Sequence, residues 1–100
     1  MNQCRFTRRA EEDLRQIADF TLITWGERQA DRYLSALESA CLMLAKNPNL
    51  GRECFNIRPG LRRMEHAKHI LFYRQSKEGI VISRVLHQRM LPEQHKMDAE

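Results

Sequence analysis

LRRMEHAKHILFYRQSKEGIVISRVLHQRM, residues 61–90, is the stretch whose reading decides the fold. It holds two β-branched and aromatic runs, Ile70 to Tyr73 and Ile80 to Leu86, separated by a polar, Gly-containing break at Gln75 to Gly79 that reads as a hairpin turn. In the second run, alternation puts Ile80, Ile82, Arg84 and Leu86 on one face and Val81, Ser83, Val85 and His87 on the other. The spacing predicts strands over residues 61–66, 69–75 and 79–87, joined by short turns into an antiparallel meander. Arg62, Arg63, Lys68, Arg74, Arg84 and Arg89 crowd around these strands. The residues alone leave two readings open: a solvated surface, or a cationic sheet face that grips an acidic partner.

Upstream, residues 3–7 alternate with Cys4 and Phe6 on one side, which predicts an N-terminal strand. Thr7 is placed to cap a helix over 8–25, in which Ala10, Leu14, Ile17, Ala18, Thr21 and Trp25 form one face. Gly26 ends that helix, and a second over 27–47 follows at once, with Ala30, Tyr33, Leu34, Leu37, Ala40, Cys41 and Leu44 at helical spacing and Pro48 beyond. So short a turn makes an antiparallel helix hairpin, whose apolar faces need the sheet to cover them. Trp25 is read as the wedge that fixes the hairpin to the sheet, rather than as an anchor for a partner. Leu42 and Met43 lie off the main stripe, which implies either deep burial or an exposed groove. Residues 48–60 read as a loop anchored by Leu50, Phe55 and Ile57, and 90–100 as a polar tail with one helical turn.

The expected architecture is therefore α+β, in the order β-α-α-β-β-β. A helix hairpin packs on one face of a small, mainly antiparallel four-stranded sheet, in a single domain over residues 1–100. The first strand is expected beside the last, as the one parallel contact.

With 42% hydrophobic and 30% charged residues, the composition is that of an ordinary globular protein. No apolar run approaches the roughly 20 residues that cross a bilayer, and no secretory signal opens the chain, so a cytoplasmic protein without a membrane partner is expected. The net charge of +4 is uneven. Residues 1–50 carry seven basic and seven acidic groups, whereas residues 51–100 carry ten and six. That asymmetry favours an acidic partner for the sheet half. Cys4, Cys41 and Cys54 have neither metal-ligand spacing nor an even count, so they read as reduced thiols, with Cys54 the reachable one.

Three groups of residues are candidates for chemistry. His87, flanked by Arg84 and Arg89, has the make-up of a general acid beside phosphate-stabilising cations, although the chain offers no clear base or nucleophile. Tyr73 beside Arg74 has the make-up of a base-stacking and phosphate-binding pair, or simply of a good strand residue with a solvated neighbour. His66 and His69, three apart across a turn, lack a third ligand, so no metal is expected. Gly-rich phosphate loops, G-x-S-x-G and Cys-x-x-Cys are absent from the sequence, and no cofactor is expected.

From about Phe6 to His95 the chain resembles the ParE-type toxins of the RelE/ParE superfamily. The strings DLRQIADF (13–20), WGERQADRYL (25–34), LAKNPNLGR (44–52), IRPGLRRM (57–64) and HILFYRQSKEGIVISRVLHQRM (69–90) carry the likeness. The resemblance implies the toxin half of a bacterial type II toxin-antitoxin module that inhibits DNA gyrase by binding it. A ParD-like antitoxin with a ribbon-helix-helix DNA-binding domain would neutralise it in a hetero-oligomer, so that operator DNA is reached only through the antitoxin. On that reading Arg62, Arg63, Tyr73, Arg74, Arg84, His87 and Arg89 face the target. Leu14, Tyr33, Leu37, Arg58, Arg62 and Arg84 face the antitoxin.

The related mRNA-cleaving RelE branch is the alternative, with Arg84 and His87 as its weak catalytic candidates. The chain lacks a tyrosine after Leu86 and a lysine pair before the second strand, both of which that branch uses. A non-toxic binding module of the same fold is the third reading. Leu91 stands where relatives often carry an acidic residue before the tail proline.

Overall fold

The computed structural model describes residues 2–90. Strand β1 (Gln3–Phe6) leads into helix α1 (Arg8–Trp25), and helix α2 (Glu27–Lys46) follows. Strands β2 (Arg52–Glu53), β3 (Arg62–His66), β4 (His69–Ser76) and β5 (Gly79–His87) complete one sheet in the order β1-β5-β4-β3-β2. The expected helix hairpin and meander are present, and β1 pairs parallel with β5, from Gln3 opposite Gly79 to Phe6 opposite Ile82. The sheet has five strands rather than four. Arg52 and Glu53, inside the segment read as a loop, pair with Arg63 and Arg62, a contact too short to leave a period in the sequence. The expected turn in the tail lies outside the described residues.

Local chemistry explains where the elements begin and end. Thr7 accepts a hydrogen bond from the Ala10 N–H at 3.1 Å and so caps α1. Its own hydroxyl donates to the Ser83 carbonyl at 2.8 Å and its N–H to that of Ile82 at 3.0 Å, which fixes the start of α1 against β5. Gly26, at φ 92°, is the single residue between the helices. Gly79 lets β1 close on β5, because a Cβ there would sit 2.0 Å from the Gln3 carbonyl oxygen.

Two apolar clusters sandwich the sheet. Between helices and sheet lie Ala10, Ile17, Leu37, Leu44, Leu71, Tyr73, Ile80, Ile82 and Val85, with Cys4 and Phe6 packed beside them. On the opposite face Cys54 and Leu61 close over Ile70, Phe72 and Leu86, with Ile57 alongside. The far face is thus partly roofed by residues 54–61 rather than open as a cationic platform. Ile57 tucks in as expected, but Leu50 and Phe55 stay exposed. Cys54, expected to be reachable, is buried under that roof. The strict alternation of the last run also fails. A register shift leaves Ser83 between the Tyr73–Ile82 and Phe72–Arg84 pairs, so Val85 joins the helix side and Leu86 the other.

The β3–β4 turn contains the only non-glycine residue with positive φ among the described residues, Ala67 at 53°. A Cβ in that conformation is sterically unfavourable. Ala67→Gly is therefore expected to stabilise the protein by about 1 kcal/mol, read as an upward shift of the urea midpoint with an unchanged m value. A lower midpoint would mean that the turn costs nothing as it stands.

Candidate partner-binding groove

Helix α1 buries Ala10, Asp13, Ile17 and Thr21, a stripe that carries one carboxylate. Asp13 is tied to β5 by three hydrogen bonds. Its Oδ2 accepts from Arg84 Nε at 2.7 Å and from the Val85 N–H at 3.0 Å, and its Oδ1 accepts from Arg84 Nη2 at 2.9 Å. Both side chains are close to 90% buried, with 11% of Arg84 and 10% of Asp13 exposed. A paired guanidinium held this way is a structural strut, since withdrawing it would strand a buried carboxylate.

The buried stripe of α1 ends at Thr21, yet its last two turns remain apolar. Phe20 is 65% exposed, Ile23 84% and Trp25 62%. Trp25 therefore does not wedge the hairpin onto the sheet, because it stands one turn past the last buried residue. Phe20 and Trp25 instead form one wall of a groove of about 800 Å³. Gln29 and Tyr33 of α2 form another part of the lining, with Val85, His87 and the turn Ala67–His69 at the sheet end. Its size is that of a pocket able to hold several side chains of a partner.

The polar groups of the groove have defined states. Tyr33 Oη lies 2.5 Å from His69 Nδ1. Burial lowers His69 to about 4, with the charges of His87 and His66 adding to the effect, while burial raises the Tyr33 phenol. At neutral pH Tyr33 thus donates to an uncharged His69. The His87 ring lies 5.5 Å from that of His69, edge to face, and its Nδ1 accepts the Arg89 N–H at 3.2 Å. Lys68, which is exposed, adds a cation at the mouth.

The structure separates the other residues singled out by sequence. Tyr73 is fully buried; its hydroxyl accepts the Gly51 N–H at 2.8 Å and donates to the Pro48 carbonyl at 2.7 Å, pinning the loop after α2. It is not available to stack on a base. Leu37, 1% exposed, is core and not groove edge. Arg84 is withdrawn from both partner surfaces by Asp13. Arg62 bonds the Gly51 carbonyl at 2.6 Å and approaches Glu53 at 3.6 Å. Arg63 pairs with Glu65 at 2.9 Å, and Arg52 reaches the same carboxylate at 2.9 Å. Arg74 and Leu14 are half-buried, whereas Arg58 and Arg89 are exposed. Of the residues assigned to a target or an antitoxin from sequence, the structure brings only Tyr33 and His87 into the groove lining, where they meet Phe20, Trp25, Lys68 and His69. Leu42 and Met43 are exposed, so α2 also presents apolar surface away from the core. Among the described residues no group of His, Cys, Asp and Glu is arranged to hold a metal, and no helix is long and apolar enough to cross a membrane.

The family model described as ParE toxin of type II toxin-antitoxin system, parDE, matches residues 4–92. Toxin ParE1 of Mycobacterium tuberculosis (strain H37Rv) is 46% identical over 82 residues, 81% of this chain and 84% of that protein. Toxin ParE1 of Caulobacter vibrioides is 37% identical over 95 residues, 95% of this chain and 98% of its own length. Toxin ParE of Escherichia coli is 34% identical over 86 residues, covering 84% and 82%. A chain of the chromosomal ParDE TA system from P. aeruginosa superposes with a TM-score of 0.71 at 24% identity, over 85% of this chain and 94% of that one. At that identity the superposition bears on the fold.

Two outcomes follow from the geometry. Asp13→Ala should cost about 3–5 kcal/mol of unfolding free energy by leaving Arg84 buried without its counter-charge. Asp13→Leu combined with Arg84→Met should recover part of that loss, the remainder reflecting the unpaired Val85 N–H. An Asp13→Ala protein as stable as the parent would show that the pair contributes nothing. His69, whose folded value is depressed from 6.5 to about 4, favours the folded state fully above pH 6.5, and this contribution is lost as the pH falls toward 4. Urea midpoints of His69→Asn should therefore fall less than those of the parent between pH 6.5 and 4; parallel curves would contradict the assignment.

Proposed function

The chain belongs to the ParE toxins of type II toxin-antitoxin systems, and from that premise we propose that it arrests growth by binding DNA gyrase and is silenced by a ParD-like antitoxin seated in the α1–α2 groove. The observation that carries this reading is the groove wall of exposed Phe20 and Trp25 beside Tyr33, with Lys68 at the mouth. Large apolar side chains left in water along one helix face mark a surface that a partner covers. Lys68 and the neighbouring cations suit acidic groups on the same partner. The matching segment is amphipathic, with aliphatic or aromatic anchors on one side and carboxylates on the other, as expected of the tail that extends from a ribbon-helix-helix antitoxin domain.

The target surface we assign is narrower than the sequence suggests. His87 lines the sheet end of the groove and accepts the Arg89 N–H, and together with exposed Arg89 and half-buried Arg74 it is the remaining candidate surface for gyrase contact. Leu14, Arg58, Arg62 and Arg63 lie outside the groove lining, and the pairs that Arg62 and Arg63 make with Glu53 and Glu65 are of the partly exposed kind whose loss has small effects. Because His87 lines the groove itself, an antitoxin seated there covers part of the target surface, so neutralisation is by occlusion.

The geometry weighs against the mRNA-cleaving alternative at one of its two residues. Arg84, the cation that would stabilise a phosphorane, is held by Asp13, whereas His87 accepts the Arg89 N–H at Nδ1, which leaves its ring proton on Nε2.

Controlled expression of the toxin without antitoxin, with gyrase-dependent DNA breaks and cut mRNA measured in the same cells, tests the target. DNA breaks without mRNA cleavage are expected, and cut mRNA without breaks would overturn the reading. Antitoxin binding with no growth arrest would instead identify a non-toxic module. Phe20→Asp or Trp25→Asp should weaken antitoxin binding at least tenfold while leaving the circular dichroism spectrum unchanged. Unaltered affinity in both variants would remove the groove from the interface.

A further inference from the structure

The face of the sheet turned away from the helices carries a second surface, remote from the groove. Cys4 and Phe6 of β1, Leu71 and Tyr73 of β4, and Ile80 and Ile82 of β5 all turn toward the helices, so alternation sends Arg5, Arg74 and Val81 to the other side. The pairing register sets these three in one row, with Arg5 opposite Val81 and Val81 opposite Arg74. Two strand spacings put the Cα atoms of the arginines about 10 Å apart. Val81 is 1% exposed although it lies outside the cluster under the roof, as expected where the methylene stems of two flanking arginines lie over a strand residue. Farther along the same face Arg63 lies over the Phe72 ring at 5.6 Å and shares the Glu65 carboxylate with Arg52. Arg74 has no such partner. Among the described residues its Nε is buried without a hydrogen bond, and none of their carboxylates pairs with its guanidinium.

We propose that this row binds the phosphodiester backbone of DNA, with Arg74 and Arg5 each meeting a phosphate on either side of the covered Val81. The inference rests on the gyrase reading only for its use in the cell, where it assigns Arg74 to the DNA that gyrase holds; the binding itself needs no gyrase. A guanidinium takes a phosphate through two parallel N–H bonds, and the Nε edge of Arg74 is the one left without an acceptor. Arg74 is half-buried and Arg5 exposed, so the phosphates are met at the surface and not drawn into the core. The chemistry favours DNA over an acidic peptide. Protein partners anchor on large side chains in buried pockets, and here Val81 is covered while Ile70, Phe72 and Leu86 are shut under the roof. Phosphate contacts need no such anchor, since charge carries them. The adjoining β4–β5 turn brings Lys77 and Glu78, whose charges cancel.

Binding of the full-length toxin to a short fluorescein-labelled duplex of mixed sequence is followed by anisotropy over a range of salt concentrations, without gyrase or antitoxin. Arg5→Gln combined with Arg74→Gln should weaken binding at least tenfold and reduce the slope of log K against log salt by about 2, the count of two lost phosphate contacts. Arg28→Gln combined with Arg32→Gln removes the same charge from the exposed side of α2 and should change the affinity less than twofold. Equal losses in the two pairs would show that net charge alone attracts the duplex, and an unchanged slope in the first pair would remove the row from the contact; either result overturns the proposal. If Arg74→Gln fails to fold, Arg5→Gln at its exposed position carries the test, with about half the change in slope. Polyglutamate of equal charge should displace the duplex only at higher concentration than unlabelled duplex does, and displacement at the same or a lower concentration would assign the row to an acidic peptide and overturn it. Toxin binding to DNA-free gyrase is measured separately. DNA binding through the row without gyrase binding would leave this proposal standing and sink the gyrase reading, whereas gyrase binding by a toxin that ignores the duplex would do the reverse.

Discussion

The carboxylate of Asp13 is the constraint on which the arrangement of helices and sheet depends. β1 is four residues long and pairs with β5 only as far as Ile82. Beyond that point β5 has lost its neighbour on one side, and an unpaired strand edge under a helix leaves polar backbone groups that water cannot reach. Thr7 and Asp13 replace the missing strand. The first takes the Ser83 carbonyl and the second the Val85 N–H, while Arg84 balances the charge brought in. α1 is thereby held at a fixed height over the sheet end, and the groove is the space left between them.

Much of this was legible in the sequence because it depends on local chemistry. Helix spacing, the Thr7 cap, Gly26 between the helices and the β-branched runs of β4 and β5 each leave a period or a punctuation mark. What was not legible depends on long-range partners. Asp13 reads as a carboxylate favoured near a helix start, and only its place between Ala10 and Ile17 on the apolar stripe hints that it is buried. Tyr73 and Arg84 carry the residue types of a nucleic-acid site, but their partners are 22 and 71 residues away in the chain. The shift at Ser83 has no signature at all, and it moves Val85 and Leu86 to faces that strict alternation would not assign.

The cationic excess also changes meaning in three dimensions. Counted along the chain, the sheet half has four more basic than acidic groups. In the fold Arg84 faces Asp13, Arg52 and Arg63 share Glu65, and Arg62 approaches Glu53. Unlike the buried Arg84–Asp13 pair, the pairs with Glu65 and Glu53 are partly exposed and contribute little to stability, about 0–1 kcal/mol, yet each removes a guanidinium from the field felt by an approaching anion. Four of the arginines that suggested an acidic partner are thus already paired within the fold. The surface best fitted for recognition is the apolar wall of α1.

That wall sets a limit on what it can do unaided. Covering an exposed Phe, Ile or Trp stabilises a complex by about 1.5–3 kcal/mol per side chain. Phe20 and Trp25 together therefore provide no more than about 6 kcal/mol, while association itself costs about 4–15 kcal/mol. Apolar contact on this helix alone gives a weak complex at best. A durable one requires further matched groups, and those within reach are the cation of Lys68, the Tyr33–His69 pair and the end of β5 at His87. A partner that satisfies them must occupy the groove along its length, from the tip of α1 to the last strand. On the reading proposed above, a partner that fills the groove to its sheet end covers His87, so that tight binding there and access to the last residues of β5 compete.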